Sequence, residues 1–299
     1  MLFSHRTTAR AFFLLLAVGV FAGTANAAAE VPEVTAFPVV GNVTYTDDFG
    51  DPRPQGSHEG NDIMSVRHQP AVAFVSGRVQ KWSGSGSYGT CMLYLHAKNG
   101  MTYVYIHLNN DLGPHNDNDG GCKNGVSYAK GLHNGDHVSR GELVGFVGDS
   151  GDANGIQPHL HFEVRKPSGN AIDPFKYLNK ARHLLFPRPG ADLGEVKLTL
   201  KGSTVLSKTD STITVRTKRV VVQPLGLDYR NVRKVTFAVP PETNVERKGG
   251  TGTFSTIDIS SAQVGERARV TTITFTPTWA SQKAPAGEIT AAKILLLGD

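Results

Sequence analysis

The chain lacks several things that would decide its nature at once. It has two cysteines, Cys91 and Cys122, in 299 residues, which allows one disulfide at most. Beyond the N-terminal segment no stretch approaches ~20 apolar residues, which excludes a later membrane-spanning helix. The net charge is only +5, too slight an excess to argue for nucleic acid as a partner. No lysine lies between Lys130 and Lys166. That removes a lipoyl- or biotinyl-carrier reading of the Gly-rich segment at 135–142, because a carrier needs an exposed lysine at its hairpin tip. No histidine follows His183, whereas nine of the 11 fall between His58 and His161. Any histidine-based chemistry therefore belongs to the first part of the chain.

Within that part, five residues stand in suggestive order. His58 and Asp62 sit in SHEGNDI, His107 closes the strand-like run MTYVYIHL, and His159 and His161 sit in PHLHFEV. A hydrolytic zinc site takes three protein ligands from His and carboxylate and leaves a fourth position open. Spacing of two suits a strand, so His159, His161 and Glu163 would share one side, with Leu160, Phe162 and Val164 on the other. The same alternation in MTYVYIHL puts Met101, Tyr103, Tyr105 and His107 on one face. Each pair alone has an ordinary reading as partly buried histidines satisfied by backbone. The segment HEGND is not a damaged His-Glu-x-x-His helix: its fifth residue is Asp62, and Gly60 with Asn61 makes a poor helix interior.

With its flanks FGDPRPQGSHEGNDI, YIHL, GDHVSRGELVGFVGDSG, PHLHFEV and NAIDPFKYL, the ordered set resembles the lysostaphin-type (LytM-like) zinc metallopeptidases. The likeness covers roughly residues 49–178. It implies one Zn2+ per chain held by His58, Asp62 and His161, with His159 as general base and His107 beside the reacting water or oxyanion. It also implies peptidoglycan peptides as substrate. Three features depart from the pattern: Asn61 stands where an apolar residue is commoner, the loop before PHLHFEV is slightly long, and about twenty extra residues follow His107.

The ends of the chain carry their own signals. Arg6 and Arg10, the apolar AFFLLLAVGVFAG and the small residues Ala25 and Ala27 read as a signal peptide over 1–27, with an uncleaved anchor as the alternative. Its removal leaves 29 basic against 26 acidic side chains, and the mature chain would be periplasmic or secreted, with no membrane span. In such a compartment Cys91 and Cys122 are expected to pair, the alternative being two unpaired thiols. The bridge would tie the 109–134 insertion to the CMLYLHA strand. That insertion, with His115, Asp117 and Asp119, lacks the ligand spacing of a calcium loop and reads as a solvated loop at the cleft rim.

The fold class expected is all-β. An antiparallel-sheet peptidase domain with a groove spans 28–182, and a Pro/Gly-containing linker spans 183–194. A second β-sandwich of immunoglobulin-like type spans 195–299, with no catalytic cluster and no readable role. The function expected is a secreted zinc metalloendopeptidase acting on peptidoglycan stem peptides or cross-bridges. The rivals are a catalytically inactive wall-binding relative and a zinc peptidase acting on secreted proteins.

Overall fold

The computed structural model describes residues 30–54, 56–84, 89–188, 195–223, 227–229, 233–276 and 289–298. The expected signal peptide at 1–27 and the 189–194 part of the linker lie outside them. Among the described residues one short α-helix, Phe175–Lys180, interrupts an otherwise β-built chain.

In the first region a seven-stranded antiparallel sheet runs, edge to edge, Ala171–Ile172, His159–Arg165, Thr102–Ile106, Cys91–His96, Gly77–Ser83 and His137–Val138. The seventh strand, Asn61–Met64, shares an edge of His159–Arg165 with Ala171–Ile172. Strict alternation explains the central strand. Leu160, Phe162 and Val164 are fully buried and face a core in which the Phe162 ring lies 5.1 Å from Phe74 and 5.3 Å from Tyr105. The Tyr105 hydroxyl is buried with both needs met, donating to the Val72 carbonyl and accepting from the Phe74 N–H.

That arrangement corrects one expectation. Tyr103 and Tyr105 point into the core opposite Val164 and Phe162, so strict alternation would bury His107 with them. Instead His107 takes a left-handed φ of 60°, which ends the strand at Ile106 and turns the imidazole to the other face. A non-glycine residue pays strain for that conformation, and here the strain delivers a side chain to the groove.

The insertion is tied down rather than merely solvated. Cys91 and Cys122 form a disulfide. Arg67 lies between the carboxylates of Asp111 and Asp149, both fully buried. Asp111 also accepts from the N–H groups of Asp117 and Asn118.

In the second region the long strand Lys197–Lys208 pairs with Thr212–Thr217, Arg219–Gln223 and Arg267–Thr272 in one nine-stranded sheet. Bulges at 200–203 and 205–207 bend it, and a parallel bridge between Ala238 and Thr290 joins distant parts of the sheet around one core. Leu198, Leu200, Val215, Phe237, Val270 and Ile294 fill that core. It also takes in Leu184, Leu185 and Phe186, together with Ala36, Val40 and Val72 from the first region. The front of the expected linker is thus packed, because three consecutive large apolar residues bury more favourably than they hydrate.

Candidate metal centre

Strand register builds the site. Asp62 lies directly opposite His161 in the antiparallel pair of Asn61–Met64 with His159–Arg165, and such cross-strand neighbours are in side-chain contact. His58 comes from the turn just before, where the chain must pass close over His161. A Cβ on Gly60 would lie 2.7 Å from His161 Nε2 and 2.6 Å from the Phe162 carbonyl oxygen. Only glycine fits there. The segment is turn and strand, not helix, in line with the rejection of a His-Glu-x-x-His motif.

Three donor atoms converge. His58 Nε2 is 2.9 Å from His161 Nδ1 and 3.2 Å from Asp62 Oδ1, and the remaining side, His161 Nδ1 to Asp62 Oδ1, is 3.1 Å. Ligands about 2.0–2.1 Å from a tetrahedral ion sit about 3.3 Å apart, so the triangle is close to the size a zinc ion needs. The hydrogen-bond partners behind it present the right atoms. His58 Nδ1 lies 2.7 Å from the Asp48 carbonyl oxygen. A carbonyl only accepts, so Nδ1 holds the hydrogen and Nε2 keeps its lone pair. His161 is turned the other way: its Nε2 donates to Glu163 Oε1 at 3.2 Å, which frees Nδ1. Residues His58, Asp62 and His161 together could hold a metal ion.

Electrostatics point the same way. Burial opposes it, but the imidazoles of His161 and His58 against its oxygens hold the Asp62 carboxyl well below the usual carboxylate range. Burial also opposes protonation of His161, yet its bonds to Asp62 and Glu163 raise it to about 9. Without a cation the triangle therefore shares a proton, and cation uptake must displace it.

Two further imidazoles face this triangle. His159 Nδ1 donates to the Gln157 carbonyl oxygen at 2.9 Å and His107 Nδ1 to that of Ser150 at 2.8 Å, so both present Nε2. Their ring centroids are 4.9 Å apart, and His159 Nε2 is 3.8 Å from Asp62 Oδ1. Burial, then the neighbouring His159, pushes His107 down to about 4, which keeps it neutral at ordinary pH. Arg53, Glu59, Met64, Ile106, Asp152 and Ile156 line the groove with these residues. No residue of the 109–134 insertion is among its lining.

All five residues singled out in the sequence thus meet in one groove. Residues 124–174 match Peptidase family M23. The resemblance drawn from the motifs stands. The matched segment includes His159 and His161, while His58, Asp62 and His107 precede it. A Bacillus subtilis L-Ala–D-Glu endopeptidase is 27% identical over 152 residues, 47% of this chain and 41% of that protein. The DD-carboxypeptidase/endopeptidase Mpg of Neisseria meningitidis is 31% identical over 117 residues, 39% of this chain and 22% of that protein. The chain therefore spans less than half the length of either relative. The catalytic domain of lysostaphin from Staphylococcus simulans is 23% identical, with a TM-score of 0.35 over 46% of this chain and 93% of that one.

Several supporting residues of this M23-like site escaped the sequence reading. Arg53 Nη2 donates to Asp62 Oδ2 at 2.9 Å, leaving Oδ1 to the triangle. Asn61, the departure from an apolar position, is fully buried and donates to Asp48 Oδ1 at 2.6 Å and to the Thr46 carbonyl. It steadies the loop whose carbonyl fixes His58. Glu163, braced by Arg165, orients His161. Its place on the His159 and His161 face was visible in the alternation. The carbonyls of Asp48, Ser150 and Gln157 carry no signature in a sequence.

Proposed function

We propose that the protein is an exported zinc endopeptidase that hydrolyses peptides of peptidoglycan. The observation that carries this reading is the triangle of His58 Nε2, Asp62 Oδ1 and His161 Nδ1, sized for a tetrahedral ion and facing two imidazoles of fixed tautomer. The relatives named as endopeptidases support the reaction class. The apolar leader supports export.

His58, Asp62 and His161 would hold one zinc ion, which supplies Lewis acidity toward a scissile carbonyl. His159, anchored through Nδ1, takes the proton of the attacking water on Nε2 and later gives it to the leaving amine. His107, neutral and anchored to Ser150, donates from neither ring nitrogen into the groove while its Nδ1 hydrogen is committed. Its Nε2 therefore accepts from the attacking water and aligns it. Oxyanion donation by His107 would need the other tautomer. Arg53 and Glu163 hold Asp62 and His161 in register for the ion.

Metal analysis of the purified protein, followed by digestion of peptidoglycans of differing cross-bridge chemistry and mass spectrometry of the fragments, tests the reading. One zinc per chain and new amino termini within the peptides are expected. Zinc-loaded protein that releases nothing from any wall, yet cleaves secreted proteins, would replace peptidoglycan with another substrate.

A further inference from the structure

The groove opens onto a sheet face whose composition is unusual for a surface that meets water. Directly opposed residues of antiparallel strands share a face, so the register reads off a row starting at His161. Ile106 lies opposite His161. Met92, one step beyond the Leu93 and Tyr105 pair, follows opposite Ile106. Trp82 lies opposite Met92. A solvated face of an antiparallel sheet is ordinarily polar. Beyond His161 this row is apolar, and it ends in an indole that is 47% exposed.

Beside it lies a row of different character. Tyr94 lies opposite Gln80, and its ring is parallel within 7° to that of His96, with centroids 6.3 Å apart. His96 is fixed on both sides, by Thr102 Oγ1 at 3.1 Å and Gln80 Oε1 at 3.2 Å. The result is a strip of exposed and half-buried rings with amide and imidazole groups beside them. A pyranose ring has the matching halves, an apolar C–H face and a polar rim, and an N-acetyl group adds an amide for Gln80. An aliphatic partner would take water from the Gln80 amide without replacing it.

We propose that this strip, ending at Trp82, binds the amino-sugar part of the wall substrate while its peptide lies in the groove. The proposal rests on the peptidoglycan reading above. Three strand intervals separate His161 from Trp82, about 14 Å, which about four extended residues span. The bond at the metal centre would therefore lie several residues along the stem from the sugar, and not beside it.

The test uses the full chain and two measurements. The first compares kcat/KM on a sugar-free stem-peptide dimer with that on the same dimer carrying its disaccharides. Trp82→Ala should lower the value about tenfold through KM for the sugar-bearing substrate only, with Trp82→Phe recovering most of it. The second is titration with N-acetylglucosamine tetramer, followed by NMR, for the wild type and Trp82→Ala. Saturable binding lost in the variant supports the strip even if no wall peptide is cleaved, in which case the peptidase reading alone fails. Equal losses on both substrates, no loss on either, or sugar binding indifferent to Trp82 would overturn the proposal.

Discussion

The two β regions use the same strand chemistry and differ in where they depart from it. In the second region the buried polar groups among the described residues are mostly hydroxyls bonded within the sheet. Thr217 donates to the Arg219 carbonyl and accepts from the Arg219 N–H, and Thr272 accepts from the Leu198 N–H. In the first region the buried set includes His58, His107, His159, Glu163, Asp111 and Asp149. Among the described residues, the non-glycine residues at left-handed φ, His68, His107 and Asn118, all lie there too. Buried charge and backbone strain are costly, and they persist where the surrounding fold compensates for them and function uses them. Under the proposed function, the contrast would place chemistry in one region and leave support to the other.

The largest effects should come from the site itself. His58→Ala, Asp62→Ala and His161→Ala should each abolish retention of zinc through dialysis, and hydrolysis with it. His159→Ala and His107→Ala should keep one equivalent of zinc and lose about 10² to 10⁴ in rate. Arg269→Ala, exposed in the second region, should change neither. Full zinc in the Asp62 variant would show that the triangle is not the binding site.

Stability offers a second comparison, using one ion pair from each region. Arg67→Met strands the Asp111 and Asp149 carboxylates in the interior and should cost about 3 to 5 kcal/mol in urea unfolding. Arg247→Met breaks a pair with the buried Glu266, which keeps the Gln263 N–H as a partner, and should cost less, about 1 to 2 kcal/mol. Similar costs would mean that the first region is no more dependent on buried charge than the second.

Cys122→Ser comes next. Its bridge closes a loop of sequence separation 31, worth about 3 to 4 kcal/mol by chain entropy, an upper figure since the reduced chain retains structure. Because neither cysteine touches the donor triangle, zinc content should stay at one per chain while the melting temperature falls. Loss of zinc would instead tie the insertion to the site. A route exists for such coupling: Ser150, whose carbonyl anchors His107, also accepts at its hydroxyl oxygen from the Cys91 N–H at 2.9 Å.

How much of this was legible beforehand follows from the range of each interaction. The grouping of candidate residues could be read because His159, His161 and Glu163 obey a period of two and His58 with Asp62 lies within five residues, while the choice of His58, Asp62 and His161 among them came from the family resemblance. The orientation of His107 could not, since one left-handed residue cancels the alternation that predicted its face. Nor could Arg67 with Asp111 and Asp149, whose members are scattered over more than eighty positions, or the backbone carbonyls that set each tautomer. The packing of Leu184, Leu185 and Phe186 with Ala36, Val40 and Val72 was hidden by Pro187 and the glycines beyond, which read as a linker. Local periodicity encodes faces, while long-range partners appear only in the fold.

A small catalytic effect is expected from the sharpest test of the division between regions. Asp48, Ser150, Gln157 and Glu163, which orient the four imidazoles, lie with the five site residues before Arg188. Ending the chain after Arg188 keeps them all and keeps Leu184, Leu185 and Phe186. It strips the cover those residues share with Ala36, Val40 and Val72, so the melting temperature should drop. Yet kcat/KM on a small sugar-free peptide should stay within about threefold of the full chain, a difference under about 1 kcal/mol. Circular dichroism and zinc content establish that the shortened chain is folded and loaded before the rate is read. If it is both and still fails to cleave the small peptide, the second region shapes the groove, and chemistry and support are not separable.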